Sequence, residues 1–146
     1  MIHYRLAQIS DAQELKKLNE LFNPSKCMAL EEIVEFLQRN GREIVCVAVD
    51  GNSLVGFCCG YILKFMCYTF SYGEITEFFV MKEYRQQGIG KQLLMTAEIE
   101  FNKHGVKDFY VLTGQQNITA QSLYMSCGFT DALEILFQKN NKNQEL

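Results

Sequence analysis

The stretch that decides the fold is VMKEYRQQGIGK, residues 80–91. An apolar run precedes it and a long amphipathic segment follows it, which predicts a strand, a glycine-rich turn and a helix start. Gly88 and Gly90 lack a Cβ, so backbone N–H groups beside them can approach a ligand closely. The first N–H groups of a helix have no intrahelical partner, and the positive end of the helix dipole lies there too. The turn is therefore predicted to bind an anion such as phosphate.

The turn differs from the two best-known nucleotide-binding turns. Dinucleotide-binding folds carry G-x-G-x-x-G, and the phosphate loop of nucleotide hydrolases carries G-x-x-x-x-G-K-[ST]. Neither pattern occurs in the chain. A glycine-rich turn before a helix is also commonly a simple bend, so taken alone this turn leaves a structural role open beside the binding role.

Hydrophobic periodicity and turn residues divide the rest of the chain into strands and helices. The predicted strands are residues 2–8, 43–49, 54–65, 74–81, 107–113 and 129–138. The predicted helices are residues 10–22, 29–39, 88–104 and 117–127, the first capped by Ser10 with Gln13 and the last by Asn117. Residues 66–72 are left open between strand and loop, and fraying is expected after residue 140. A hairpin meander followed by strand–helix units predicts a mixed α/β sheet with helices on both faces.

Length and composition favour one globular domain over residues 1–146, with 48% hydrophobic and 21% charged residues. The N-terminus lacks the apolar run of a signal peptide, and no apolar stretch approaches the length of a membrane span. A soluble, cytoplasmic protein without a membrane partner is expected. The formal net charge of -3 disfavours nucleic acid as a partner.

The six cysteines are predicted to be reduced thiols, most of them buried, because none forms a C-x-x-C pair and most lie in apolar runs. No metal site is expected, since the only histidines, His3 and His104, are not at ligand spacing. A cysteine nucleophile is not expected either, because no histidine is placed to activate it.

A second motif, NITAQSLYMSCGF at residues 117–129, completes the pattern. Together with residues 84–90 it closely resembles the GNAT superfamily of N-acetyltransferases, in the same order and separation. The resemblance implies a mostly antiparallel central sheet of six to seven strands, flanked by about four helices. It also implies a splayed pair of strands that admits the cofactor.

The cofactor implied by the resemblance is acetyl-CoA, used as a co-substrate without a metal. The family's turn wraps the CoA pyrophosphate, mostly through backbone N–H groups, and the strand before it lends backbone groups to the pantetheine arm. Asn117 matches the position that hydrogen-bonds that arm. The turn positions are Arg85, Gln86, Gln87, Gly88, Ile89, Gly90 and Lys91, and the strand positions are Phe78, Phe79 and Val80.

Catalytic roles are implied for Tyr124 and for a carboxylate. Tyr124 occupies the family's general-acid position, and a phenol with a pKa of about 10 can protonate a thiolate whose conjugate acid has a pKa near 8.5. An ammonium acceptor must lose a proton before it attacks, which indicates Glu77, with Glu74 as the alternative base. Strict alternation would place Glu74 and Thr76 on one face and Glu77 on the other, but a bulge could bring Glu77 inward. A core aromatic and solvated strand glutamates are the structural alternatives.

The resemblance favours acetyl transfer to a primary amine of a small cationic molecule, similar to an aminoglycoside or a polyamine, by direct attack in a ternary complex. Two other functions stay open: acetylation of a protein N-terminus or lysine, and acyl-CoA binding without turnover. Dimers are frequent in such families, so a homodimer is an expectation that the sequence itself does not decide.

Overall fold

A computed structural model describes residues 1–39 and 41–140, which form five strands and four α-helices. The strands are β1 Ile2–Leu6, β2 Glu43–Asp50, β3 Ser53–Lys64, β4 Ser71–Val80 and β5 Phe109–Val111. The helices are α1 Ala12–Phe22, α2 Leu30–Gln38, α3 Ile89–Lys103 and α4 Ile118–Ser126. Two 3-10 turns, Ile9–Asp11 and Lys82–Tyr84, precede α1 and α3. No helix within the described ranges has the length and apolar character needed to cross a membrane.

The strands form one mixed sheet in the order β1-β2-β3-β4-β5. The first four are antiparallel neighbours, whereas β5 runs parallel to β4. Gly51, with φ 59°, allows the tight turn that joins β2 directly to β3. A parallel pair needs a longer crossover, and α3 supplies it between β4 and β5. The predicted mixed α/β sheet is confirmed.

Helices cover both faces of the sheet, and β2 shows the consequence. Cys46 and Ala48 belong to the core beneath α3, while Val47 and Val49 belong to the core beneath α1 and α2. All four are buried. The helices contribute Leu15, Leu18 and Ile33 on one face and Leu93, Leu94, Ala97 and Phe101 on the other. The near-continuous apolar run of β2 is thus typical of a strand that is buried on both faces.

Two glycines let α3 approach the sheet closely. A Cβ on Gly60 of β3 would lie 2.5 Å from Cζ of Phe101, and one on Gly73 of β4 would lie 2.9 Å from Cε1 of the same ring. Phe101 is fully buried. The glycine at position 60 is thus a packing requirement beneath α3.

A β-bulge interrupts the pairing of β3 with β4. Cys59 pairs with Glu77, but the next residue, Gly60, pairs with Ile75. Thr76 is therefore the additional residue on β4, and the alternation of side chains is reset at this point.

β4 and β5 stay together over a short distance only. Their register comprises Gly73 with Phe109, Glu74 with Tyr110, and Ile75 with Val111. From residue 77 to residue 80, β4 has partners on β3 but none on β5 among the described residues. The two strands part at the height of the bulge, as expected for a splayed pair.

The predicted last strand at residues 129–138 is wrong. The segment has no regular secondary structure, and Leu133 and Phe137 are 99% and 88% exposed. The described chain therefore contains five strands instead of six to seven. Strand β5 has only three residues, and its outer edge has no partner strand among the described residues. Residues 141–146, in the tail where fraying was expected, lie outside the described residues.

Two smaller expectations also change. The first helix is preceded by a 3-10 turn in which Asp11 Oδ2 accepts the N–H of Gln8, so Ser10 and Gln13 do not form the cap. Asp11 is fixed in this position because it also accepts two hydrogen bonds from the Arg5 guanidinium. Residues 66–72, which the sequence left open between strand and loop, contain both: residues 66–70 form a loop, and β4 begins at Ser71.

Candidate active site

The turn before α3 presents a run of free backbone donors. The N–H groups of residues 86–91 have no protein acceptor in the part of the chain that the structure describes. Gln86 and Gly88 lie in the left-handed region, with φ of 59° and 80°. Left-handed residues in such a turn direct successive N–H groups into one concavity, which favours an anion. The N-terminus of α3 adds its dipole at the same place.

Side chains fix the position of this turn. Arg85 Nε donates to the carbonyl oxygen of Val80 at 2.8 Å, and its guanidinium carbon lies 5.7 Å from the centre of the Phe79 ring. Tyr84 Oη donates to Asp50 Oδ2 at 3.1 Å, and this hydrogen bond raises the pKa of Tyr84. The turn is thus attached to the end of β4 and to the β2–β3 hairpin before any ligand is bound.

Gly88 and Gly90 have different roles. A Cβ on Gly88 would meet nothing within 4 Å, so packing does not require glycine at this position. The positive φ of 80° does. A Cβ on Gly90 would lie 2.9 Å from Cζ of Phe78 and 3.2 Å from Cδ2 of Leu123. Gly90 therefore also serves the packing of α3 against β4 and α4. The close approach of a ligand to both glycines stays a prediction.

The other predicted cofactor residues divide into core and surface positions. Ile89 is buried, so it can offer a ligand only its backbone. Phe78 and Val80 belong to the core beneath α3, and Phe79 contacts the opposite core. Gln86, Gln87 and Lys91 are exposed, and Gln87 Nε2 donates to the carbonyl oxygen of Glu83.

Asn117 and Tyr124 lie on α4. Oδ1 of Asn117 accepts the N–H of Ala120 at 3.2 Å, which confirms the predicted cap. Tyr124 is buried, with ring centres of Phe78 and Phe129 at 6.4 Å and 5.7 Å. Burial raises the pKa of the Tyr124 hydroxyl, so this group keeps its proton.

The bulge places the acidic residues of β4 together. Glu74, Thr76 and Glu77 all line one cavity of about 620 Å³ between the sheet and the α1–α2 layer. Thr76 donates a hydrogen bond to Glu77. Strict alternation would have separated the two glutamates, whereas the extra residue brings both to the same face.

Tyr124 does not line that cavity. It lines a second one of about 800 Å³ beside β5 and α4, together with Val111 and Gln121. Phe78 connects the two regions, because it follows Glu77 in β4 and its ring contacts the Tyr124 ring. The proposed acid and the proposed bases thus lie in different cavities, on either side of the region where β4 and β5 part.

Several cavity residues were not found from the sequence. Glu43 on β2 and Phe22, Met28 and Phe36 on the helical layer line the same cavity as Glu74 and Glu77. These residues belong to no motif, and the two that lie in helices, Phe22 and Phe36, resemble ordinary core positions. Only the tertiary arrangement of α1 and α2 over the sheet identifies them.

No group of three metal-ligating side chains occurs within residues 1–39 and 41–140. The six cysteines in those ranges are free thiols. Burial raises the pKa of Cys46 to about 12 and also raises the pKa values of Cys58 and Cys59. These three thiols are therefore protonated near neutral pH, a poor state for a nucleophile.

Known proteins are similar to this chain over most of its length. An uncharacterized N-acetyltransferase of Chlorobaculum tepidum is 29% identical over 109 residues, which cover 75% of this chain and 66% of that protein. The aminoglycoside N(6')-acetyltransferase type 1 of Klebsiella aerogenes is 28% identical over 123 residues, 80% of either chain.

Solved structures show the same fold. The structure of AAC(6')-Iy in complex with a bisubstrate analog, CoA-S-monomethyl-acetylneamine, superposes with a TM-score of 0.84 at 19% identity. The match covers 96% of this chain and 98% of that one. The sequence pattern of the Acetyltransferase (GNAT) family matches residues 10–129, most of the chain. The chain therefore belongs to the GNAT family of acetyltransferases.

Proposed function

We propose that residues 1–146 form a single N-acetyltransferase domain that transfers the acetyl group of acetyl-CoA to a primary amine of a small cationic molecule. The observation that carries the proposal is the run of free N–H groups at residues 86–91, which lies next to the gap between β4 and β5. An anion-binding turn beside an opening in a sheet suits a ligand with a pyrophosphate and an extended arm.

The residues present fit this cofactor. GNAT acetyltransferases use acetyl-CoA, which supplies an activated acetyl thioester. The N–H groups of residues 86–91 would hold the pyrophosphate, with the exposed cation of Lys91 nearby in the chain. Residues 76–80 of β4 leave backbone groups without a β5 partner for the amides of the arm, and the amide nitrogen of Asn117 remains a donor beside its capping oxygen.

Two side chains of this protein would move protons. Glu77 can attract the ammonium of the acceptor and accept its proton, and Glu74 is the alternative on the same face. Tyr124 holds a proton on its hydroxyl and can donate it to the departing group. The raised pKa values of Cys46, Cys58 and Cys59 support direct attack by the amine, without a covalent enzyme intermediate.

A small-molecule acceptor is supported by the aminoglycoside-acetylating relative and by the cavity of about 620 Å³ at Glu77. A cytoplasmic location is supported by the free thiols, which persist in reducing compartments. The homodimer stays a prediction. It is supported by the exposed apolar side chains of residues 133–137 and by the free edge of β5 among the described strands.

Calorimetry on two glycine variants tests the cofactor site. Gly88→Trp should abolish acetyl-CoA binding, because its side chain would enter the concavity. Gly105→Trp is the matched control, since Gly105 at the other end of α3 also has a positive φ, 75°, and open space around its Cβ position. Both variants should lose about 1–2 kcal/mol of stability to backbone strain, but Gly105→Trp should bind the cofactor normally.

CoA release across small amines and peptides then tests the reaction. Turnover with a small amine supports the proposal, and turnover confined to peptides would assign the acceptor to proteins. A folded Gly88→Trp protein that binds acetyl-CoA as tightly as the wild type would overturn the assignment of the turn.

A further inference from the structure

The cavity beside Glu77 is built from two chemically different walls. The sheet wall includes the carboxylates of Glu43, Glu74 and Glu77 beside apolar side chains. The helical wall includes the apolar side chains of Phe22, Met28 and Phe36 beside the polar Asn19, Asn23 and Lys26. A ligand that fits both walls needs a charged end and an apolar end.

The carboxylates of Glu74 and Glu77 are available to a ligand. Neither takes part in any of the ion pairs found in the described chain. Among residues 1–39 and 41–140, the only hydrogen bond to Glu77 comes from the neighbouring Thr76 hydroxyl. Two anionic groups on one face that take part in no ion pair can receive an ammonium with little rearrangement.

The apolar wall is preformed yet accessible. The Phe22 ring packs against Phe57 and Phe79, with ring centres 5.8 Å and 5.9 Å away. Phe22 nevertheless remains 41% exposed, and Met28 remains 40% exposed. Aromatic side chains held in place at the edge of a cavity favour a ligand that covers their remaining surface.

These walls suit some amines better than others. The hydroxyl groups of a polyol placed against Phe22, Met28 and Phe36 would lose hydrogen bonds to water without replacement. Lys26 also lines the cavity and partly offsets the charge of its three carboxylates, so a further ammonium placed beside Lys26 would meet a like charge. An aryl or alkyl body instead gains free energy by leaving water.

We propose that the acceptor is an amphiphilic monoamine, with its ammonium at Glu74 and Glu77 and an aromatic or alkyl body against Phe22, Met28 and Phe36. This inference rests on the proposed function, because it assigns the cavity to the acceptor. It narrows the acceptor from small cationic amines in general to those with one charge and an apolar body.

The test compares kcat/KM for 4-phenylbutylamine, n-butylamine, spermidine and the aminoglycoside tobramycin, measured as CoA release. We expect 4-phenylbutylamine to exceed each of the others by about tenfold or more, since burial of a few carbon atoms in an apolar pocket gives discrimination of this size. A preference for spermidine or tobramycin would overturn the inference and leave the proposed acetyl transfer intact.

Single substitutions test whether the apolar body of the acceptor binds at Phe22. Phe22→Ala should raise KM for 4-phenylbutylamine about tenfold while KM for n-butylamine and for acetyl-CoA stays within about twofold. Phe65→Ala, at a half-exposed aromatic residue after β3, is the matched control and should change none of these values. Equal KM values in Phe22→Ala and wild type would contradict the placement of the apolar body.

Binding distinguishes the two proposals if no amine is acetylated. Calorimetric titration with 4-phenylbutylamine should then still show binding that Phe22→Ala weakens, which supports the cavity's chemistry while the proposed reaction fails. Absence of binding to the folded wild-type protein would overturn the inference itself.

Discussion

Two residues in the turn before α3, Gln86 and Gly88, have a left-handed backbone conformation but differ in the strain that it causes. Gln86 and Gly88 both have a positive φ, but Gly88 bears no Cβ in the concavity, while Gln86 carries a side chain in a region that such residues rarely adopt. Strain of this kind persists where the surrounding structure imposes it and is common at ligand-binding turns. The Arg85 and Tyr84 hydrogen bonds supply that constraint.

Tyr124 is the residue whose role is most directly testable. Tyr124→Phe should lower kcat about 10²-fold, the usual contribution of a positioned acid, and leave KM for acetyl-CoA within a few-fold. Because burial raises the pKa of Tyr124, the proton needed for this role is present below the ordinary tyrosine value of about 10 and is lost only at higher pH. The alkaline limb of the wild-type pH–rate profile that reports Tyr124 should therefore lie above about pH 10.

The control for this prediction is Tyr110→Phe, on the outer strand β5, which should leave kcat unchanged. Steady-state kinetics and a pH–rate profile of both variants provide the measurement. Wild-type kcat in Tyr124→Phe, under conditions where chemistry limits the rate, would leave Tyr124 as a core aromatic residue.

A second prediction concerns which of the two glutamates of β4 accepts the proton of the acceptor. If Glu77 accepts the proton of the acceptor ammonium, Glu77→Gln should depress kcat/KM most at neutral pH and less at high pH, where free amine is abundant. Glu74→Gln is the matched variant, since it removes one carboxylate from the same cavity. A loss of kcat/KM confined to Glu74→Gln would assign the role of base to Glu74. If kcat/KM is unchanged in both variants at every pH, neither carboxylate of β4 is the base.

Among the elements, β4 shows how far sequence reasoning can reach. Its existence, its place before the turn and the possibility of a bulge were predicted from apolar residues and from the conflict between Glu74 and Glu77. The location of the bulge at Thr76 depends on the register with β3, because the side chain of Thr76 does not itself specify one. Local propensity does not encode pairing between strands that are distant in the sequence, so only the structure could place both carboxylates on one face.

The junction between β1 and α1 provides a stability prediction. Asp11 accepts hydrogen bonds from Arg5 Nη1 at 2.6 Å, from Arg5 Nη2 at 2.9 Å and from the N–H of Gln8 at 2.7 Å. The hydrogen bonds from Arg5 are the main reason that the pKa of Asp11 is lowered. Asp11→Ala should therefore destabilise the fold by about 1–3 kcal/mol at pH 7, since it removes these bonds from a buried group.

The pH dependence of this effect has a definite sign. A carboxyl with a lowered folded-state pKa contributes stability above its unfolded value of about 4, and loses that contribution as the pH falls through the folded value. The difference between wild type and Asp11→Ala in urea unfolding should thus shrink between about pH 5 and pH 2. Glu20→Ala removes an ion pair with Lys16 on α1 and should cost less than about 1 kcal/mol. Equal losses in the two variants would contradict the special role of Asp11.

For the whole molecule, the order of strands and helices was predictable up to α4, because each element has its own periodicity and stop signal. The last segment was not, since residues 129–138 have the apolar residues of a strand but no paired edge in the structure. The acceptor cavity was also beyond prediction, because it depends on how α1 and α2 lie over the sheet. The cofactor turn was accessible because its residues are contiguous in the sequence.

The exposed C-terminal segment yields the last prediction, which concerns assembly. Leu133, Ile135, Leu136 and Phe137 are between 73% and 99% exposed, which is unusual for four large apolar side chains in sequence. A second copy can cover them, because the same chain also carries a free β5 edge that a partner's segment could extend, and a two-fold contact would satisfy both sites at once. We therefore expect a dimer at micromolar concentration in sedimentation equilibrium.

Replacing two of these side chains should separate the copies without affecting the site. The double variant Leu133→Asp with Phe137→Asp is expected to be monomeric and to bind acetyl-CoA normally, because neither residue lines the turn at residues 86–91. Leu21→Asp, at a position on α1 that is 62% exposed, is the control and should remain dimeric. A wild-type protein that sediments as a monomer at about a hundred micromolar, well above the dissociation constants of specific interfaces of ordinary size, would refute the dimer. A dimeric double variant would instead place the interface on another surface, since charged groups buried without partners in a contact of this kind are strongly unfavourable.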